Sequence, residues 1–284
     1  MTSKGRAAFA STLVALGLVV IKVVVGLITM SMAVLASALD SFMDLCSTGI
    51  SVAAIRTAEK PADEAHPFGH GKAESIAGLI QAVLITVSAG FLIYQAFVKI
   101  VKGYQLEDEH LGIAVMVISI AASILIARHL GQVGRRTESP VLTAGALNFS
   151  ADVWTNSGAL LALGLERWAA VKNADPVISI LISLFIVVSA TRIGRDATAQ
   201  LMDKTLPADI LRTIDECIRT HRPSVKNYHK LRTRGVGTER YIEFHVEIDR
   251  NLSFERAHEI TEDIISEIKR AIPGARVTVH SDPA

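Results

Sequence analysis

Only two cysteines occur in the 284 residues, Cys46 and Cys217, and they fall in different parts of the chain. That count excludes a disulfide framework and a cysteine-rich zinc site. Missing too are a His-Glu-x-x-His string, a nucleophile constellation and any general base beside the acidic groups described below, so no enzyme is indicated. The basic residues form no stripe, which argues against a nucleic-acid partner. A cleavable signal peptide is not expected, because the first apolar run is too long and lacks a clear small-residue cleavage site.

What the chain does have is apolar length. Its mean hydropathy of +0.38 is too high for an ordinary soluble domain. Six runs, roughly 8–29, 32–55, 75–98, 111–130, 141–165 and 176–194, approach or exceed the ~20 residues a helix needs to cross a bilayer. From about Leu206 charge becomes dense and no spanning segment remains. The reading is an α-helical membrane protein with six transmembrane helices over 1–205, followed by a soluble domain over 206–284.

The net charge of +1 conceals an ordered distribution. Lys4 and Arg6 precede the first run, Arg56, Lys60 and Lys72 follow the second, Arg128, Arg135 and Arg136 follow the fourth, and Arg192 and Arg195 follow the sixth. The opposite side carries Lys99, Lys102, Arg167 and Lys172, set beside Glu107, Asp108, Glu109 and Asp175. The positive-inside rule therefore places both termini, and the tail domain, in the cytoplasm.

Asp40 and Asp44 lie one helical turn apart inside the second apolar run, and Asn148 and Asp152 repeat that spacing in the fifth. Positions four apart share a helix face, so each pair reaches toward a common point. An ionisable group at bilayer depth costs about 2.5–3.5 kcal/mol on insertion scales and marks an ion or substrate pathway. Serines 37, 41 and 47 offer a structural alternative for one aspartate, but three leave negative charge that only protons or a cation can offset. Ala33, Ala36, Ala38 and Gly49 on one run, with Gly145, Ala146, Ala151 and Gly158 on the other, favour close approach of the two helices. Thr155 and Asn156 are either supporting partners of Asp152 or packing residues. Cys46 faces the far side of its helix from Asp44, and Lys22 has no assigned role. The expectation is one divalent cation held by Asp40, Asp44, Asn148 and Asp152.

Residues 61–70 are polar and punctuated by proline and glycine, hence a loop. Its Asp63, His66 and His70 form either a metal site or a turn whose histidines face water. In the tail, helical spacing over 208–220 precedes strand-like alternation over 227–233 and 241–249, joined by a turn at Gly235–Gly237. Ser253 is the expected N-cap of a helix over 254–272, ended by Pro273 and Gly274, and 276–280 closes as a strand. That order predicts an α+β domain with its helices on one sheet face. His229, His245 and His280 fall on strands, His258 on the helix and Asp282 just past the last strand; such N and O ligands suit zinc or another transition metal. Glu243 and Glu247 are assigned to a solvated face.

The aspartate pair of the second run, the fifth-run pair ending in Asp152 and the string H-P-F-G-H-G-K-A-E-S at 66–75 resemble the cation diffusion facilitator family over nearly the whole chain. The resemblance implies a homodimeric, multi-pass exporter of Zn²⁺, Fe²⁺, Mn²⁺, Co²⁺ or Cd²⁺ in a bacterial inner membrane, driven by proton antiport and using no organic cofactor. It implies a ferredoxin-like, metallochaperone-like tail and a secondary site at Asp63, His66 and His70. It further implies a regulatory binuclear site at the dimer interface from His229, His245, His258, His280 and Asp282, and a pairing of Lys72 with Asp203. One departure stands out: Asn148 occupies a position where the zinc-exporting pattern has histidine. An all-oxygen set favours harder ions such as Mn²⁺ or Fe²⁺ over Zn²⁺ and Cd²⁺. Crowded carboxylates away from water hold protons readily, and a dication displaces them, so the aspartates are expected to carry the exchanged protons. The alternative is a metal-binding scaffold or sensor that transports nothing, for which the tail site alone would suffice.

Overall fold

The computed structural model describes residues 2–29, 32–102, 110–169, 174–237 and 239–284. Glu107, Asp108, Glu109 and Lys172 lie outside them, as do the side chains of Ala33, Ala36, Lys102 and Arg167. The chain divides into two compact units, Met1–Thr198 and Ala199–Ala284.

Six long helices build the first unit: α1 (Ser3–Thr29), α2 (Met32–Ala58), α3 (Lys72–Lys102), α4 (His110–Arg136), α5 (Pro140–Ala169) and α6 (Ala174–Leu201). Each outruns its apolar run. At 27–31 residues they are about 40–46 Å long, more than the ~30 Å hydrocarbon core. The excess carries charges such as Arg56, Lys72 and Arg136. Hydropathy marks the apolar segment and not the end of the backbone hydrogen bonding. Five of these helices are apolar enough to cross a membrane by length and composition; α5, diluted by Asn148, Ser150, Asp152, Thr155 and Asn156, is not among them.

Helix α1 packs on α2 and α4, α4 on α5, and α3 on α5 and α2. A buried apolar cluster joins Ala7 and Ala8 of α1, Ala54 and Ile55 of α2, Ala77 of α3, Leu130 of α4, and Val141, Leu142 and Phe149 of α5. These come mainly from one end of the unit: where α1, α3 and α5 begin and where α2 and α4 finish. A second cluster packs the middle of α6 on α3 through Ile85, Ala89, Ile186 and Ala190, with Leu147 and Ala151 of α5 against it.

The same end holds a buried polar junction. Glu74, 3 % exposed, accepts from Lys4 Nζ at 2.6 Å and from the Ser139 hydroxyl. Ser139 caps α5, accepting from Leu142 N at 3.5 Å, and Pro140 supplies the preset first turn. Gly78 lets α3 approach α5 here, since a Cβ would come 3.1 Å from the Pro140 backbone. Neither Gly49 nor Gly158 brings the two aspartate-bearing helices together. Nothing lies within 4 Å of a Cβ built at Gly49, while one at Gly158 would collide with Ile182 of α6.

The second unit runs α7 (Ala208–Arg219), β1 (Val225–Val236), β2 (Glu239–Ile248), α8 (Phe254–Ala271) and β3 (Ala275–Pro283). The sheet order is β1-β2-β3, with β1 antiparallel and β3 parallel to the central β2. The parallel pair needs a crossover, which α8 provides. Ile242, Phe244, Val246 and Ile248 alternate onto one face of β2 and pack with Ile214 and Ile218 of α7 and Ile260, Ile264 and Ile268 of α8. Both helices thus cover one sheet face and leave the other open. Ser253 caps α8, its Oγ accepting from Arg256 N at 3.2 Å. Ser253→Ala should cost about 1 kcal/mol of stability, measured as a lowered unfolding midpoint of the full chain; no change would mean the cap is idle.

Candidate metal centres

The two spaced pairs meet. Asn148 Nδ2 donates to Asp44 Oδ1 at 2.6 Å, joining α5 to α2. The Asp44 and Asp152 side chains adjoin each other, and Asp40 lies close enough to both to act on them electrostatically. Asp44, Asn148 and Asp152 are partly buried, while Asp40 is exposed. Cys46 is exposed and adds nothing to this group. Asn156 Nδ2 and Thr155 Oγ1 donate to the Asp152 backbone oxygen, at 2.7 and 3.2 Å, so they bond to the helix backbone.

Lys22, which had no sequence-assigned role, is only 5 % exposed. Its Nζ donates to Ser41 Oγ at 2.8 Å and to the Ser37 backbone oxygen at 3.4 Å. Instead of snorkelling outward, the ammonium is anchored on α2 beside the aspartates, whose charges it partly offsets.

A second group lies in the loop between α2 and α3. Asp63 Oδ1 accepts from His66 N at 2.7 Å, and Gly69, at φ 77°, donates its N–H back to the His66 carbonyl at 2.9 Å. This tight turn brings His66 Nδ1 and His70 Nε2 each to 3.3 Å from Asp63, with the two rings 4.5 Å apart. One ligand atom from each residue falls within 4.8 Å of the others. The His66 backbone N–H, with the two histidines behind it, holds the Asp63 carboxyl below the ordinary carboxylate range.

The third group is built by sheet register. His229 pairs with His245 across β1 and β2, and His245 with His280 across β2 and β3, so the three histidines form one row. They stand on the face opposite Phe244 and Val246, away from the helices. Asp282 follows two residues after His280 on that face. Its Oδ2 lies 2.9 Å from His245 Nδ1 and 3.3 Å from His229 Nε2, and its Oδ1 lies 3.2 Å from His280 Nε2. His229, His245 and Asp282 bring ligand atoms within 4.8 Å of one another. The hydrogen bond with His245, reinforced by the other histidines, holds the Asp282 carboxyl low.

Three sequence expectations change here. Asp282 is not past the last strand but inside β3, opposite Glu247. Glu247 is not a bystander, since its Oε1 lies 3.2 Å from His229 Nδ1; the period-two alternation that put His245 on this face put Glu247 there too. His258 does not join the row. It is exposed near the start of α8, stacked on Phe254 at 6.5 Å, on the helix that covers the other sheet face. Within the second unit, Asp203 Oδ2 accepts from Arg234 Nη1 at 3.2 Å.

A bundle of long apolar helices with a carboxylate cluster inside, carried in one chain with a histidine-bearing α+β tail, is the architecture of a membrane metal carrier. The sequence model for the cation efflux transmembrane domain matches residues 8–202, and that for the cytoplasmic domain of cation efflux proteins matches 206–284. The cation-efflux pump FieF of Salmonella arizonae is 37% identical over 279 residues, spanning 98% of this chain and 92% of that protein. FieF of Serratia proteamaculans is 37% identical over 277 residues, with the same coverage. Among solved structures, the metal-bound C-terminal domain of the CzcD transporter from Thermotoga maritima is 34% identical, covering 26% of this chain and 87% of its own, at a TM-score of 0.25. The zinc form of CzrB is 28% identical, covering 28% of this chain and 92% of its own, at a TM-score of 0.26. The chain belongs to the cation efflux, or cation diffusion facilitator, family. It is a multi-pass membrane protein that moves metal cations outward, and it is not an enzyme.

Proposed function

We propose that this protein exports divalent transition-metal cations from the cytoplasm in exchange for protons. The transported ion sits among Asp40, Asp44, Asn148 and Asp152. The observation carrying this reading is the 2.6 Å bond between Asn148 and Asp44, which unites two helical pairs 104 residues apart in sequence. Three carboxylates around one point balance a dication, and Lys22 lowers the surplus negative charge when the ion is gone. Asn148 presents its N–H to Asp44 in this state, so its oxygen must turn inward to ligate. That turn exchanges a hydrogen bond for a metal–oxygen bond and adds a hard donor.

The chain acts as a homodimer in a bacterial inner membrane, with both termini cytoplasmic, in agreement with the arginines and lysines flanking its helices. Asp63, His66 and His70 form a cytoplasmic-side loop site. The row His229, His245 and His280 with Asp282 is a regulatory site on the open sheet face, and His258 reaches such a site only from a second copy. A sensor without transport has no use for the intramembrane cluster, which favours the carrier.

Reconstitution tests this reading. Uptake of Mn²⁺, Fe²⁺, Co²⁺ and Zn²⁺ into proteoliposomes should quicken when the lumen is made acidic, because outgoing protons then drive metal inward. Uptake indifferent to an imposed pH gradient would falsify proton exchange.

A further inference from the structure

The Asp40–Asp44 face of α2 does not end at the aspartates. Ser47 and Ser51 continue it, three and seven residues beyond Asp44, and both are buried, at 7 % and 4 % exposure. Gln81 of α3 meets this stripe and is itself 1 % exposed. Its Nε2 donates to the Ser47 backbone oxygen at 3.0 Å and to Ser51 Oγ at 2.6 Å. Ser51 spends its own proton on the same Ser47 oxygen, at 3.2 Å.

These bonds fix the amide's orientation. The Ser47 carbonyl accepts only from a donor, so the nitrogen must face it and the amide cannot be flipped. Gln81 Oε1 is therefore the leftover atom, and it is buried without a hydrogen-bond partner among the described residues. A bare buried carbonyl is costly to maintain and attracts a cation or a proton donor. Its anchors on α2, Ser47 and Ser51, lie about 4.5 and 10.5 Å of helix rise beyond Asp44. It marks a separate stop, displaced toward the end of α2 that leads into the Asp63–His70 loop.

We propose that Gln81 Oε1 is a transient oxygen ligand for the incoming divalent cation, a waypoint between the loop end of the bundle and the aspartates. This rests on the transport-site reading above. A single neutral oxygen binds weakly, as a waypoint must, and it suits the harder, oxygen-preferring ions.

The test uses the full-length protein, with Mn²⁺ as the probe. Wild type, Gln81→Leu, Gln81→Glu and Asp44→Asn are compared for uptake into proteoliposomes and for equilibrium Mn²⁺ binding in detergent. Loss of one neutral oxygen contact in Gln81→Leu should raise the KM for uptake about fivefold, leaving equilibrium affinity at the aspartates within about twofold. Gln81→Glu should move KM the opposite way and lower the saturating rate, because a charged oxygen captures the ion and releases it slowly. A merely structural glutamine would shift both variants together, and that result overturns the proposal. Two unshifted KM values overturn it as well, as does a change confined to the response to the pH gradient, which would assign the oxygen to protons or water. If the leucine variant fails to fold, the direction of the glutamate variant decides. Asp44→Asn separates the two readings: retained binding there defeats the aspartate site regardless of Gln81.

Discussion

Asp44→Ala should abolish transport and weaken divalent-metal binding in the membrane unit by more than about 100-fold, since even supporting partners of a ligand are worth about 10–100-fold. Asp44 is the hub of the cluster. It receives the Asn148 amide with Asp152 beside it, so its removal breaks a polar link between α2 and α5 as well as deleting a donor. Asp44→Asn supplies the control for that structural effect, because it preserves shape while deleting charge. Both variants should lose Mn²⁺ uptake, and only the alanine variant should also lose thermal stability. Wild-type uptake in either would remove Asp44 from the pathway.

Asn148→His should change which metal is preferred. Imidazole is a softer donor than an amide oxygen and suits Zn²⁺. A tenfold gain in the Zn²⁺-to-Mn²⁺ ratio of uptake efficiency corresponds to about 1.4 kcal/mol of differential binding, a reasonable yield for one exchanged ligand. The measurement is competition between the two ions in proteoliposomes at fixed pH gradient. An unchanged ratio would show that preference is set elsewhere, for example by the oxygen-rich approach to the site.

Much of this architecture is written locally and could be read as such. The apolar runs locate all six long helices. The order of elements in the tail follows from alternating residues and from Ser253, Pro273 and Gly274. The i,i+4 spacing of Asp40 with Asp44 and of Asn148 with Asp152 points to one site, because helix periodicity is a local property.

What stayed hidden depends on partners distant in sequence. The role of Lys22 rests on Ser37 and Ser41 of α2, which surround its ammonium from 15 and 19 residues away. Gln81 stands alone in a run of apolar residues, a pattern that signals an interhelical polar contact without naming its partner, here Ser51 of α2. Glu247 shares the parity of His245, so strand alternation alone could have placed it with the histidines; what was missing was the pairing register that brings β1 beside it. The resemblance groups His258 with the row, and within one copy α8 carries it on the covered side of the sheet. Asn148 and Asp152 dilute the apolar signal of α5, which is why this helix alone of the six falls short of a spanning segment by hydropathy.

Glu74 has a mechanical consequence. One carboxylate gathers Lys4, from the first turn of α1, and Ser139, the cap of α5, so three helix beginnings share a single fastening. The ends of these helices cannot drift apart by degrees, because a sealed charge either keeps its partners or must be rehydrated. Separating these helix beginnings therefore means breaking both bonds and returning the Glu74 carboxylate to water.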